Sequence, residues 1–319
     1  MRLPIALIAA VAPTLSVAQT LLADIPPVAS LVAQVTGDLA EARLIGDGIA
    51  DPHGGTLRPS DARALGEADA VFWIGPDLSP WLQTPLDRLA GSAVVVALSE
   101  APGSIQRPFR EDAVFKSEAD HDGHDHDEHA HDDDEDHDGD AHGHEHNHDH
   151  GAFDPHLWLD PANARTWLDA IAATMAEIDP DNAATYAGNA AEAKAGLEAL
   201  EARIAGRLDG LAPRFVMDHD ALGHYEDRFG VAAIGAVSDS DAARPGPRRI
   251  EAVRRAAREG GAICLLVEAG QGGRPAVEGI EVVEIDPLGL TMTPGPDLYE
   301  AVLMSITEAL VACSDDAPR

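Results

Sequence analysis

The chain is short of positive charge, of long apolar runs and of cysteine. Its 319 residues include 22 Lys and Arg against 56 Asp and Glu, a formal net charge of −34 at pH 7. A surface so acidic excludes an electrostatic nucleic-acid binder and a binder of anionic membranes. No stretch reaches the roughly 20 apolar residues that a spanning helix needs, so no membrane helix is expected in the mature chain. There are 2 cysteines, Cys264 and Cys313, and none near the N-terminus that could carry a lipid anchor. An even count in an exported protein suggests a bridge, two buried thiols being the alternative. Closing a loop of about 50 residues would stabilise the C-terminal half by ~4 kcal/mol on the chain-entropy model. Also missing are a His-Glu-x-x-His helix and a Ser nucleophile elbow, which argues against a zinc or serine hydrolase.

The N-terminus has the form of a secretory signal. Arg2 is the charged start, residues 3–11 the apolar core, and Ser16-Val17-Ala18 a small-residue cleavage site. Residues 1–18 are therefore a signal peptide, with cleavage near Ala18 and a soluble exported product. What remains exceeds the ~100 to 200 residues usual for one domain, so two domains are expected. A hydrophobic content of 45% is ample for their cores.

Histidine is abundant, and unevenly placed. Of 15 histidines, 11 lie between His121 and His150, and residues 118–149 hold 15 carboxylates with no Lys or Arg, leaving −19 of the −34 for the rest of the chain. So polar a tract cannot bury enough apolar surface to offset the ~1 to 2 kcal/mol per residue that ordering costs, and a disordered loop is expected over 118–150. An acidic linker has no need of 11 imidazoles. His142, His144, His146, His148 and His150 fall on every second residue, so an extended segment sets them on one side as auxiliary metal ligands, in an acidic field that attracts cations.

The remaining sequence alternates short apolar runs with helical patterns, the mark of βα units and mainly parallel sheets. Strands are expected at 21–25, 71–75, 93–98, 215–218, 232–237, 263–267 and 282–285, with another ending at 44–48. Helices are expected at 28–35, from a Ser60 cap to about 65, and at 81–89, 249–259 and 298–311. Asp160 caps a helix begun by Pro161 and stopped by Asp179-Pro180. The next helical pattern runs ~26 residues, ~40 Å, although Gly188, Gly196 and Gly206 weaken it. His219 and Asp286 each close a strand, the edge at which open α/β sheets bind ligands.

Three of the four remaining histidines sit beside an Asp: Asp51-Pro52-His53, Asp154-Pro155-His156 and His219-Asp220. Such a carboxylate can hold the distal ring nitrogen. With Arg58-Pro59-Ser60-Asp61, Leu157-Trp158, Ala221-Leu222-Gly223 and Asp286-Pro287-Leu288-Gly289, they make a set of motifs spread in order over the mature chain. In these the chain resembles the metal-specific solute-binding proteins of ABC importers, and their zinc branch, the ZnuA family.

The resemblance implies an α/β fold of two lobes with mainly parallel sheets flanked by helices, joined by a long linking helix, with a metal cleft between the lobes. The expected parts are an N-terminal lobe at 19–181, the linking helix at 182–210 and a C-terminal lobe at 211–319. Zn2+ would be held by His53, His156 and His219, with Asp286 as fourth ligand, Glu268 and water being the alternatives. In manganese-binding relatives the third position is usually Glu, and imidazole there agrees with zinc. Some members carry a disulfide like Cys264 with Cys313. The resemblance further implies a periplasmic protein, not an enzyme and expected as a monomer, that delivers zinc to a membrane permease. A secreted metal buffer built on the tract, or a manganese-binding relative, is the alternative. The chain departs from the family at Gly54-Gly55, where an aromatic is usual, at His224 in place of a common Tyr, and at Ala269, where Pro is frequent.

If the tract is an auxiliary collector, deleting residues 118–150 removes weak zinc sites and leaves one tight site in titration calorimetry. Loss of the tight site as well counts against it.

Overall fold

In the computed structural model of this protein the described residues are 19–46, 52–110, 112–115, 153–238, 245–269, 277 and 279–314. The signal segment and the His/Asp tract, with His142, His144, His146, His148 and His150, lie outside them.

Two four-stranded parallel sheets form the framework. The first joins β1 (Leu21–Ala23), β2 (Ala42–Leu44), β3 (Ala70–Trp73) and β4 (Val94–Ala97) in the order β2-β1-β3-β4. The second joins β5 (Phe215–His219), β6 (Ala236–Ser238), β7 (Cys264–Glu268) and β8 (Glu281–Ile285) in the order β6-β5-β7-β8. Helices α1 (Pro26–Thr36), α2 (Pro59–Glu67) and α3 (Pro80–Leu89) alternate with the first set; α6 (Gly223–Phe229), α7 (Pro247–Glu259) and α8 (Leu298–Ala312) serve the second. Parallel strands need such crossovers, and helices on both faces explain why the central strands are unbroken apolar runs such as Ala70-Val71-Phe72-Trp73, buried throughout.

The lobes share a core. One apolar cluster runs from Leu21, Leu31 and Phe72 in the first lobe through Trp158, Trp167 and Leu200 to Tyr225, Leu303 and Cys313 in the second. Smaller clusters fill the outer faces, around Leu65 and Trp73 under α2 and α3, and around Val216 and Val253 under α7. After α4 (Pro161–Ile178) the linking element is α5 (Ala183–Leu208), a single helix of 26 residues. Its three glycines point into open space, so they lower helix propensity without leaving a packing defect. Asp160 caps α4 by accepting the Ala162 N–H at 2.8 Å.

Some expectations change. Ser60 does not cap α2: Arg58 stands at the N-cap with no side-chain bond, and Pro59, whose φ suits the first helical position, draws Ser60 into the first turn. The strand expected at 232–237 is confined to Ala236–Ser238. The short helix α6 had no expectation; it is stopped by left-handed Gly230 (φ 66°). In the first sheet the order of strands reverses direction between β1 and β3, where Asp24 follows β1 and accepts the Ile25 and Ile74 N–H groups at 2.9 and 2.8 Å. Burial pushes its carboxyl up to about 7 against those two bonds.

Cys264, on β7, is bonded to Cys313 at the end of α8, 49 residues on. The bridge pins the last helix to the second sheet. Replacing both cysteines by Ser should lower the melting temperature by about 6 °C, from ~4 kcal/mol of loop closure. A scan of the oxidised protein against the double variant checks this, and an unchanged midpoint contradicts it.

Candidate metal centre

Three imidazoles meet between the sheets. His53 lies in the loop between β2 and α2, His156 directly before a 3-10 turn (Leu157–Leu159) that leads into α4, and His219 is the last residue of β5. Their ligand atoms all lie within 4.8 Å of one another, and the ring centroids are 5.7, 6.1 and 4.9 Å apart. Tetrahedral zinc at its usual 2.0 to 2.1 Å sets nitrogen ligands about 3.4 Å apart, so small ring movements would bring these three onto one ion. His156 and His219 are buried.

Each ring is placed by its own local device. The Pro52 carbonyl before His53 accepts Trp81 Nε1–H at 2.9 Å and the Ser79 hydroxyl at 3.2 Å. A Cβ on Gly55 would lie 2.1 Å from the Trp81 ring. Gly55 thus makes room for Trp81 over the loop. His156 has Nδ1 2.8 Å from Asp154 Oδ1, which also accepts the His156 backbone N–H at 3.0 Å. Its ring packs against Trp158 at 5.3 Å, and Trp158 is fixed by a bond from Nε1 to the Pro287 carbonyl at 2.9 Å. His219 Nδ1 lies 2.9 Å from Glu268 Oε1 at the end of the neighbouring strand β7. A neutral ring with its proton held on Nδ1 by a carboxylate carries its lone pair on Nε2, where it is open to a metal.

Electrostatics favours this arrangement. Burial works against the Asp154 charge, but the His156 bond and charge, together with His224, hold its carboxyl well below the usual range. Burial and the neighbouring Glu268 charge push Asp218 up to about 6. His224 is buried, its Nε2 is 3.1 Å from the Asp154 carbonyl, and burial lowers its pKa. It supports the His156 loop and is not part of the three-ring group.

The expected partners divide differently from their sequence neighbours. Asp154 holds its adjacent histidine, but Asp220 turns away from His219 to Arg110, and Asp51 lies outside the described residues. Glu268 takes the supporting role instead. It was legible as an acid after a strand, and the parallel register that pairs β5 with β7 brings it beside His219. The structure does not bring Asp286 into the group of converging ligand atoms. Its Oδ1 accepts Leu290 N–H at 2.9 Å, and Oδ2 accepts the Thr291 N–H and hydroxyl, both at 2.8 Å. That carboxylate pins the turn through left-handed Gly289 (φ 69°).

Comparison with known proteins shows the family. The profile of the family described as ZnuA, zinc-uptake complex component A, periplasmic, matches residues 21–313. The high-affinity zinc uptake system protein ZnuA of Paracoccus denitrificans is 43% identical over 297 residues, 91% of this chain and 90% of its own. That of Brucella abortus is 37% identical over 305 residues, with the same coverage of 91% and 90%. Among solved structures, a crystal structure of ZnuA aligns at a TM-score of 0.69 and 21% identity, covering 92% of this chain and 99% of that one. The periplasmic zinc-binding protein TroA of Treponema pallidum aligns at 0.66 and 17% identity, covering 92% and 98%; both likenesses speak for the fold. With a family profile spanning both sheets and all three histidines, the chain belongs to the ZnuA family of periplasmic zinc-uptake components.

Proposed function

We propose that this protein captures zinc between its lobes and delivers it to the membrane permease of an ABC importer, working in the periplasm as a monomer with no chemical step of its own. The lobes are residues 19–181 and 211–319, linked by 182–210, and the tract at 118–150 gathers metal for the cleft. One observation carries the reading: three imidazoles from separate segments converge within 4.8 Å, two of them with Nδ1 against a buried carboxylate. His53, His156 and His219 are the ligands. The fourth place falls to Asp286, whose oxygens also hold the 290–291 turn, with a water as the alternative; Glu268 stands behind His219.

Replacing each histidine by Ala in the protein lacking residues 118–150 should weaken zinc binding by at least tenfold, measured by competition with a chelator. Affinity within twofold of the parent for all three variants overturns the assignment. In the same assay Glu268→Ala loses about 10- to 100-fold, the usual effect of removing a carboxylate behind a metal-binding ring. Asp286→Ala loses as much as a histidine variant; affinity within a few-fold of the parent, with only a lower melting temperature, gives the fourth place to water.

Acid should release the metal. Protons compete for the imidazole lone pairs, so affinity falls as pH drops below the ordinary imidazole value of ~6.5. Asp154, held well below the carboxylate range, stays charged through that interval. Binding that is constant from pH 7.5 to 5 contradicts imidazole ligation.

A further inference from the structure

Between β4 and the tract the chain crosses from one lobe to the other. Asn163 of α4 first clamps it, accepting the Ile105 N–H at 2.6 Å and donating to the Ile105 carbonyl at 3.0 Å. Ten residues on, it lies along the second sheet. Phe115 N–H donates to the Ile234 carbonyl at 3.0 Å, Ala236 N–H donates to the Ala113 carbonyl at 3.1 Å, and Val114 pairs antiparallel with Gly235. Pro108 pairs with Phe153, so the segment also meets the chain where it returns from the tract.

Two arginines of this segment reach the acids next to two of the three rings. Arg107 donates from Nη1 to Asp154 Oδ2 at 3.1 Å, on the carboxylate whose other oxygen holds His156, and from Nε to Asp227 of α6 at 2.9 Å. Arg110 donates to both oxygens of Asp220, the residue after His219, and to both oxygens of Glu226, at 2.8 and 3.1 Å. Its guanidinium lies 3.7 Å over the Phe115 ring. Asp220 and Glu226 are 3% and 4% exposed and Arg110 is 19% exposed, so these are desolvated pairs, strong only in good geometry.

Two glycines allow the approach. A Cβ on Gly223 would fall 1.5 Å from Arg107 Nη1 and 2.7 Å from Asp154 Oδ2, and one on Gly235 would fall 2.3 Å from the Ala113 carbonyl. The second lobe is thus relieved at both places where the segment lies on it.

We propose that residues 105–110 and 112–115 are a positioning device for the metal centre, in which Arg107 and Arg110 set the separation of His156 and His219 by holding Asp154 and Asp220. The proposal rests on the zinc-site reading above and adds residues outside it. Arg110 acts at one remove: it fixes the turn 219–221 against the segment, while Glu268 fixes the ring. Lysine in its place supplies one charge without the planar fork that grips two carboxylates.

The test uses the full mature chain with cobalt(II) as the optical probe of ligand geometry and zinc competition for affinity. Arg110→Ala should weaken zinc binding at least tenfold and alter the cobalt d–d bands. Arg110→Lys should recover part of both, and Gly235→Ala, which lifts the segment while keeping Arg110, should move both the same way. Arg207→Ala, which breaks an exposed pair with Glu308, should move neither. A fall in melting temperature with unchanged cobalt bands and affinity within twofold overturns the proposal, since a mere structural clamp gives that result. If Arg110→Ala does not fold, Gly235→Ala decides by the same criteria. His156→Ala and His219→Ala run alongside: tight zinc binding retained there defeats the site itself, whereas loss there with Arg110→Ala unchanged defeats this proposal alone.

Discussion

A neutral imidazole binds a cation well only when its proton is kept on the far nitrogen, and here that condition is met by burying a carboxylate behind the ring. Asp154 stands behind His156 and Glu268 behind His219. Burial makes the arrangement demanding. A carboxylate removed from water costs several kcal/mol unless charge and hydrogen bonds offset it, so each buried acid needs a partner of its own. Asp154 has Arg107 and the His156 amide. The neighbouring Glu226, whose pKa burial raises, has Arg110 and the Ala233 amide. The three-ring group is therefore the inner end of a chain of pairings that reaches outward to exposed Asp227.

The same chain of pairings explains why the two sheets need not be regarded as independent bodies. Their strand orders are identical, and each alone could be a small α/β unit, but one apolar cluster passes through both. Swinging the lobes apart would expose side chains such as Trp158, Tyr225 and Tyr299, all buried in that cluster, at ~1.5 to 3 kcal/mol for each large residue. It would also break the buried bonds from Tyr299 to the Trp158 carbonyl and from Trp158 to the Pro287 carbonyl. The shared core thus holds the two sheets together as one unit.

Much of this was legible in the sequence. The strand and helix alternation, the Asp160 cap and the 26-residue α5 follow from local patterns, because each is decided by neighbours three or four residues away. His53, His156 and His219 carried a local mark too, an Asp within two positions. The pairing of Asp with His was half legible, since a residue next in sequence need not face the same way. Asp220 shows this: its side chain leaves the ring beside it and meets Arg110, 110 residues earlier. Glu268 reached its ring only through the register of β5 with β7, a long-range fact. The crossing of residues 105–110 and 112–115 left no periodic signal at all; it is made by single side chains and by two glycines whose need becomes visible only beside Arg107 and Ala113.

An acidic protein that selects an ion through nitrogen donors must keep its loose oxygens away from that ion. Oxygen ligands suit manganese, magnesium and calcium, while imidazole suits zinc, so a loose carboxylate at the centre would widen what the site accepts. Each carboxylate described above for this region has a partner of its own. Asp154 bonds His156 and Arg107, and Asp220 and Glu226 bond Arg110. Glu268 bonds the His219 ring, and Asp218 accepts the His219 amide at 2.9 Å. Asp24 accepts two backbone amides and Asp286 accepts two amides and a hydroxyl. These bonds do two things at once. They place the rings, and they set negative charge behind them, while the atoms that converge between the three segments are imidazole nitrogens.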